Sequence, residues 1–185
     1  MCGSVPRRHY GEGVYFLTCV TQGRYPYFRE KILCDLWIEE LKICKKIKKF
    51  ELYAFCLNHD HFHLLLRPNE DVANVSKIMQ ALKKNVSQDI NKIMGVHPIG
   101  ANSNSRLQQV NIDLYKVQYI QSWVMLPPFQ RQKSFHDHVI RDTQDFKEHY
   151  HYTVYNYLHH EDMSKNWLYH SWNKQYEDML DVIWL

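Results

Sequence analysis

ELYAFCLNHDHFHLLLR, residues 51 to 67, contains two short apolar runs on either side of Asn58-His59-Asp60. ELYAFCL (51 to 57) and HFHLLLR (61 to 67) are aromatic and aliphatic, as buried strands are, and the three residues between them form turns readily. The stretch reads as an antiparallel hairpin. Because strand side chains alternate between faces, His61 and His63 project together while Phe62, Leu64 and Leu66 face the other way, toward helices.

Working outward, the upstream segment Arg29 to Lys49 places Leu33, Leu36, Trp37, Leu41, Cys44 and Ile47 at helical spacing, with lysines crowding its last turns where they suit the helix dipole. Before it, VYFLTCVT (14 to 21) reads as another buried strand. Downstream, Asp71 to Met94 carries Ile78, Leu82, Val86, Ile90 and Ile93 on one helical stripe. Strand, helix, strand, strand, helix opens a ferredoxin-like βαββαβ domain of the α+β class, an antiparallel sheet with helices on one face. FQRQKSFHDHVIR (129 to 141), after the break at Pro127-Pro128, supplies the fourth strand. A third helix is expected from Gln144 to His160, capped by Asp142 or Thr143.

The 185 residues make one domain. GVHPIGANSNSR (95 to 106) is a polar loop, and 107 to 126 is periodic enough to be ordered, either helical or extended. Residues 161 to 185, with Trp167, Trp172 and Trp184, form a C-terminal extension expected to pack back on the body. With 45% hydrophobic and 23% charged residues the chain has a real core and is not mainly disordered. No run reaches the ~18 apolar residues of a membrane span, and the start lacks a signal-peptide core, so a cytoplasmic protein without a membrane partner is expected. Five cysteines without CxxC spacing read as reduced thiols. A net charge of +3 does not announce a nucleic-acid partner. Lys42, Lys45, Lys46, Lys48 and Lys49 nevertheless cluster, either as a solvated helix face or as a backbone-binding patch.

The compositional oddities are 12 His and 13 Tyr. Two imidazoles on one strand face, two residues apart, can share a metal ion or stand as an ordinary hydrogen-bonded pair. On the third helix, Phe146, Tyr150, Thr153 and Tyr157 make a stripe that suits the core, and His149, Tyr152 and Asn156 make an adjacent polar stripe. Imidazole, phenol and carboxamide in a row are what a helix beside an active site would present, although most tyrosines are structural.

Asp60-His61-Phe62-His63-Leu64-Leu65 resembles the His-hydrophobic-His motif of the single-tyrosine HUH transposases, the insertion-sequence and REP-associated tyrosine transposase group. FHDHVIRDTQDFKEHYHYTVYNY (135 to 157) is similar to that group's strand-helix block, in which a Tyr lies four residues before an amide side chain. The likeness covers residues 9 to 94 and 129 to 160. It implies that His61, His63 and Asn156 hold a divalent metal, Mg or Mn, and that Tyr152 is the nucleophile, with His149 a candidate general base. Two departures stand out: Asn156-Tyr157 replaces the usual Asn-Pro, and 107 to 126 looks like an insertion into a single HUH transposase-like domain spanning 1 to 185.

The resemblance further implies nicking and rejoining of single-stranded or hairpin DNA through a 5′-phosphotyrosine link, by a monomer or homodimer. Lys45, Lys46, Lys48, Lys49, Arg131 and Arg141 are the candidate DNA contacts. The alternatives are a domesticated, catalytically silent hairpin binder, or an RNA-binding module of RRM architecture.

Overall fold

The computed structural model describes residues 13–96 and 126–182. The hairpin forms as its alternation requires: β2 (Glu51–Leu57) pairs antiparallel with β3 (His61–Arg67), from Leu57 opposite Phe62 to Glu51 opposite Arg67. The first strand, β1 (Tyr15–Val20), pairs with the other side of β3, and β4 (His136–Val139) pairs with β1. The order is β2-β3-β1-β4 with every neighbour antiparallel, the expected βαββαβ arrangement. The fourth strand is four residues long and forms the edge of the sheet, with β1 its one strand partner.

Two helices, α1 (Lys31–Lys48) and α2 (Val75–Ile93), pack on each other. Their apolar stripes form one core with Leu17, Phe55, Phe62 and Leu64. Trp37 is fully buried there, with ring centroids 5.0 Å from Phe62 and 6.0 Å from Phe55. Burial of each such side chain contributes roughly 1.5–3 kcal/mol. The α2 helix starts at Val75 because Asn74 caps it, its side chain accepting from the Lys77 backbone N–H at 3.0 Å.

One core residue is out of place by composition. Glu40 is fully buried between α1 and α2, where desolvation and the nearby Asp89 carboxylate hold its carboxyl well above the usual range. A raised folded pKa means that the folded state binds the proton more tightly than the unfolded one. Stability from this group is therefore complete below the unfolded carboxylate pKa and is lost as pH rises toward the folded value. Glu40→Gln is expected to raise Tm at pH 8 and to change it little at pH 4.5, as checked by calorimetry across that range.

The third helix, α3 (Thr143–Tyr155), departs from the expectation of helices on one face. It crosses β2 and β3 on the face opposite α1 and α2, with Phe146 and Val154 against Tyr53, Ala54 and Leu65. The reason lies in β3, whose residues His61 to Leu66 are all buried, so the strand needs cover on both sides. Asp142 caps α3, its side chain accepting from the Asp145 N–H at 2.8 Å. The helix also ends earlier than His160. The Asn156 N–H bonds to the Thr153 carbonyl, and the chain continues as a tighter 3₁₀ turn through Asn156–His159.

The C-terminal extension packs on the outer edge of β2. Leu57 N–H donates to the Tyr169 carbonyl (2.9 Å), Ser171 N–H to Phe55 (2.9 Å) and Asp181 N–H to Leu52 (2.8 Å), satisfying an edge that would otherwise invite pairing with another chain. Cys19, Cys34, Cys44 and Cys56 are buried free thiols, each pushed up in pKa chiefly by burial. The segment 107 to 126, expected to be an insertion, lies outside the described residues apart from Leu126. Among the described residues no helix is long and apolar enough to cross a membrane.

Candidate active site

His61 stands at the start of β3 and His63 two residues on, both nearly fully buried, with ring centroids 5.0 Å apart. Each ring is fixed through its Nδ1. Asp60, one residue before, bonds to His61 Nδ1, and Thr18 on the paired strand puts its hydroxyl 2.8 Å from His63 Nδ1. Burial would raise the Asp60 carboxyl, but bonds from His61 and from Arg24 outweigh it and hold its pKa below the usual range. A carboxylate on one imidazole nitrogen turns the other inward and raises its basicity, the support that metal-binding histidines commonly have.

The inward atoms meet the end of α3. Asn156 is buried, and its Oδ1 accepts from Asn58 Nδ2 at 2.7 Å. The same Asn58 nitrogen lies 3.0 Å from His61 Nε2, and His160 Nε2 lies 3.2 Å from Asn156 Oδ1. His63 Nε2 is buried with no hydrogen-bond partner among the described residues. Desolvation, with the His61 and His160 rings adding to it, pushes the His63 imidazole down to about 3; the Asn156 side chain opposes the fall without a bond of ordinary geometry. His63 is therefore neutral at physiological pH, with its lone pair available. Two imidazole nitrogens and an amide oxygen converge here, and one of them has no partner, so the donor set fits a divalent cation.

Tyr152 lies beside this set, 45% exposed, its ring edge-on to His63 at 5.4 Å and to Phe16 at 5.8 Å, and stacked on His159 at 6.0 Å. Tyr157, where an Asn-Pro pair was the usual pattern, keeps the register: it is buried and stacked on His170 at 4.5 Å, which anchors the turn while Asn156 points inward.

His149 is engaged elsewhere. Its Nδ1 lies 2.9 Å from both the Asp145 carbonyl and a carboxylate oxygen of Asp145, and its ring stacks on His138 at 4.5 Å. Phe16 packs against both His149 (4.8 Å) and Tyr152. His138 Nε2 lies 2.9 Å from Asp145 Oδ2, which also accepts from the Arg141 backbone N–H at 3.0 Å. Burial would raise Asp145, but these bonds hold it far below the usual carboxylate range. His138, Asp145 and His149 thus form a second group able to hold a metal ion, their ligand atoms within 4.8 Å of one another. Here the donor atoms are already bonded to one another; His63 Nε2 is not. That difference favours the His61–His63–Asn156 set.

The remaining candidates fall apart from the site. Lys45 bonds to Asp181 and to the Met179 carbonyl, both at 2.7 Å, and holds the C-terminal extension. Lys46, Lys48 and Lys49 sit with it at the end of the sheet where β2 begins and β3 finishes, about 20 Å from His61 along β3. Arg131 donates to Ser87 Oγ at 3.1 Å and bridges Thr21, and Arg141 flanks Asp145. Sequence reasoning missed Asn58, Asp60, His138, Asp145 and His160. A signal existed for His160, which extends the His149, Tyr152, Asn156 stripe by four residues, and for Asp60, which precedes the histidine pair.

A family model described as "Transposase IS200 like" matches residues 11–98, a stretch that contains both histidines and ends before α3. A protein of Haemophilus influenzae described as a REP-associated tyrosine transposase is 26% identical over 164 residues, 88% of this chain and 81% of that one. The fold matches the structure of a REP-associated tyrosine transposase bound to a REP hairpin, with a TM-score of 0.65, 19% identity, and coverage of 99% of this chain and 92% of that chain. The chain is thus similar to IS200-like transposases over the segment that carries the histidine pair, and it shares the four-stranded fold of a REP-associated tyrosine transposase.

Proposed function

We propose that this protein nicks and rejoins one strand of hairpin-forming DNA through a 5′-phosphotyrosine at Tyr152, with Mg or Mn held by His61, His63 and Asn156. The observation that carries the reading is the convergence on the partnerless His63 Nε2 of an amide and a phenol-bearing helix from a distant part of the chain. The DNA in the structural match is a hairpin, which supports that substrate.

A bound divalent ion would withdraw charge from the scissile phosphate. The chain's own residues do the rest. His61, His63 and Asn156 fix where the phosphate sits; Asp60 and Thr18 keep the two rings from turning. Tyr152 Oη forms a bond to phosphorus as the bond from phosphorus to the 3′ oxygen breaks. The phenolic proton leaves to solvent or to the flanking His159 imidazole, and the departing 3′ oxygen takes one up. The phosphodiester becomes a phosphotyrosine ester of similar energy, so the released 3′-hydroxyl, or another, can attack it in turn.

One observation favours a silent hairpin binder: the Asn58 amide nitrogen bridges His61 Nε2 and Asn156 Oδ1, two of the three ligand atoms. Hairpin DNA labelled at either end decides between the two readings. Cleavage is expected to transfer the 3′-terminal label to protein on a denaturing gel and to leave the 5′ label on a shortened free strand, with Mn or Mg and not with EDTA. Binding without any adduct would establish the silent reading. RNA recognition on the sheet is disfavoured, because α3 covers β2 and β3 where an RRM would stack bases.

A further inference from the structure

Among the described residues, three surface grooves of similar size lie outside the histidine site, and their charges differ. In one, of 510 Å³, Lys31 and Lys42 are matched by Asp35 and Glu39. In another, of 460 Å³, Lys49 and Arg67 are matched by Glu51, Glu70 and Asp71. The third, of 590 Å³, gathers Lys77, Lys83, Arg131 and Lys133 with three neutral polar side chains and Phe135, and none of its described lining residues is acidic. A groove of one sign concentrates an anionic ligand.

The four cations divide by role. Lys83 is buried, its Nζ donating to the Ser134 carbonyl at 3.0 Å and lying 5.7 Å from the Phe135 ring, so it holds the lead-in to β4 in place. Arg131 is half-buried and donates to Ser87. Lys77 and Lys133 are exposed at the rim, where a ligand would meet them. Phe135 is already taken by Lys83, so the groove has charge without a stacking platform. That chemistry suits a sugar-phosphate backbone and not unpaired bases.

Position adds to charge. The Gln132 N–H donates to the Val20 carbonyl, Arg131 bridges Thr21, and Val20 pairs with His61. The Arg131 end of the groove therefore lies beside the histidine-bearing end of the sheet, on the α2 side of the β1–β4 edge, and its other end reaches Asn74, Ser76 and Lys77 at the start of α2. The lysines at the end of α1 lie at the opposite end of the sheet.

We propose that this groove carries the phosphodiester backbone of the DNA arm flanking the cleavage site. The proposal rests on the reading that hairpin DNA is the substrate. The test compares two doubly charge-reversed full-length variants, Lys77→Glu with Lys133→Glu in the groove and Lys46→Glu with Lys48→Glu on α1. They change net charge equally. Affinity for fluorescent hairpin DNA is measured by anisotropy over a series of salt concentrations, with Tm confirming the fold. Losing two phosphate contacts is expected to lower the log–log salt slope by about 1.8 for duplex, or about 1.4 for single strand, and to weaken binding tenfold or more at low salt. The α1 variant is expected to keep the wild-type slope. An unchanged slope in the groove variant, or an equal fall in both, overturns the proposal. Wild-type protein that binds hairpin DNA without forming an adduct overturns the cleavage reading and leaves the groove standing; wild-type protein with no affinity for hairpin DNA overturns both.

Discussion

Tyr152→Phe is expected to abolish the covalent protein–DNA adduct and nicking while leaving hairpin affinity within a few fold. The substitution deletes one oxygen from a side chain that is 45% exposed and keeps the ring contacts to His63, Phe16 and His159. Fold and DNA surface are therefore preserved, and only the nucleophile is lost. Removing the nucleophile from an enzyme that acts through a covalent intermediate costs on the order of 10⁶ in rate. Tyrosines at 150 and 155 share the helix but pack toward the second apolar cluster, with Val14, Tyr53, Leu65 and Phe146, on the flank of α3. An adduct that persists in Tyr152→Phe, mapped by peptide mass spectrometry to either of them, would refute the assignment.

His63→Ala should have the second largest effect, on metal binding and cleavage together. Its Nδ1 is held by Thr18 and its Nε2 is the one ligand atom of the set without a partner, so no other side chain competes for it. Losing an outer-shell partner such as Asp60 costs roughly 10–100-fold in affinity or activity, and losing a ligand should exceed that range. The readout independent of activity is thermal: Mn is expected to raise the Tm of wild-type protein by mass action and to leave His63→Ala unmoved. Asn156→Ala should be milder and partly recovered at high Mn, because Asn58 and His160 leave polar groups beside the vacated position. A His63→Ala protein that keeps both the Mn-induced rise and cleavage would move the metal elsewhere, first to His138, Asp145 and His149.

The amino-acid sequence by itself determined the strands of the hairpin to the residue and the two helices on the core face, and it narrowed the cap of α3 to Asp142 or Thr143, because these depend on short-range periodicity and local hydrogen bonds. It also determined that His61 and His63 share a face, since alternation along one strand requires it. Only the tertiary structure decided which face α3 covers. That choice follows from the need to bury both sides of β3, a property of the assembled sheet. The partners at the site were likewise decided at long range: Thr18 meets His63 across 45 residues, and Asn58 meets Asn156 across 98. The basic groove is of the same kind. Lys77 belongs to α2 and Lys133 to the lead-in of β4, and neither stretch announces the other. Charges separated along the chain acquire a common field only when packing closes the distance between them to within about a Debye length.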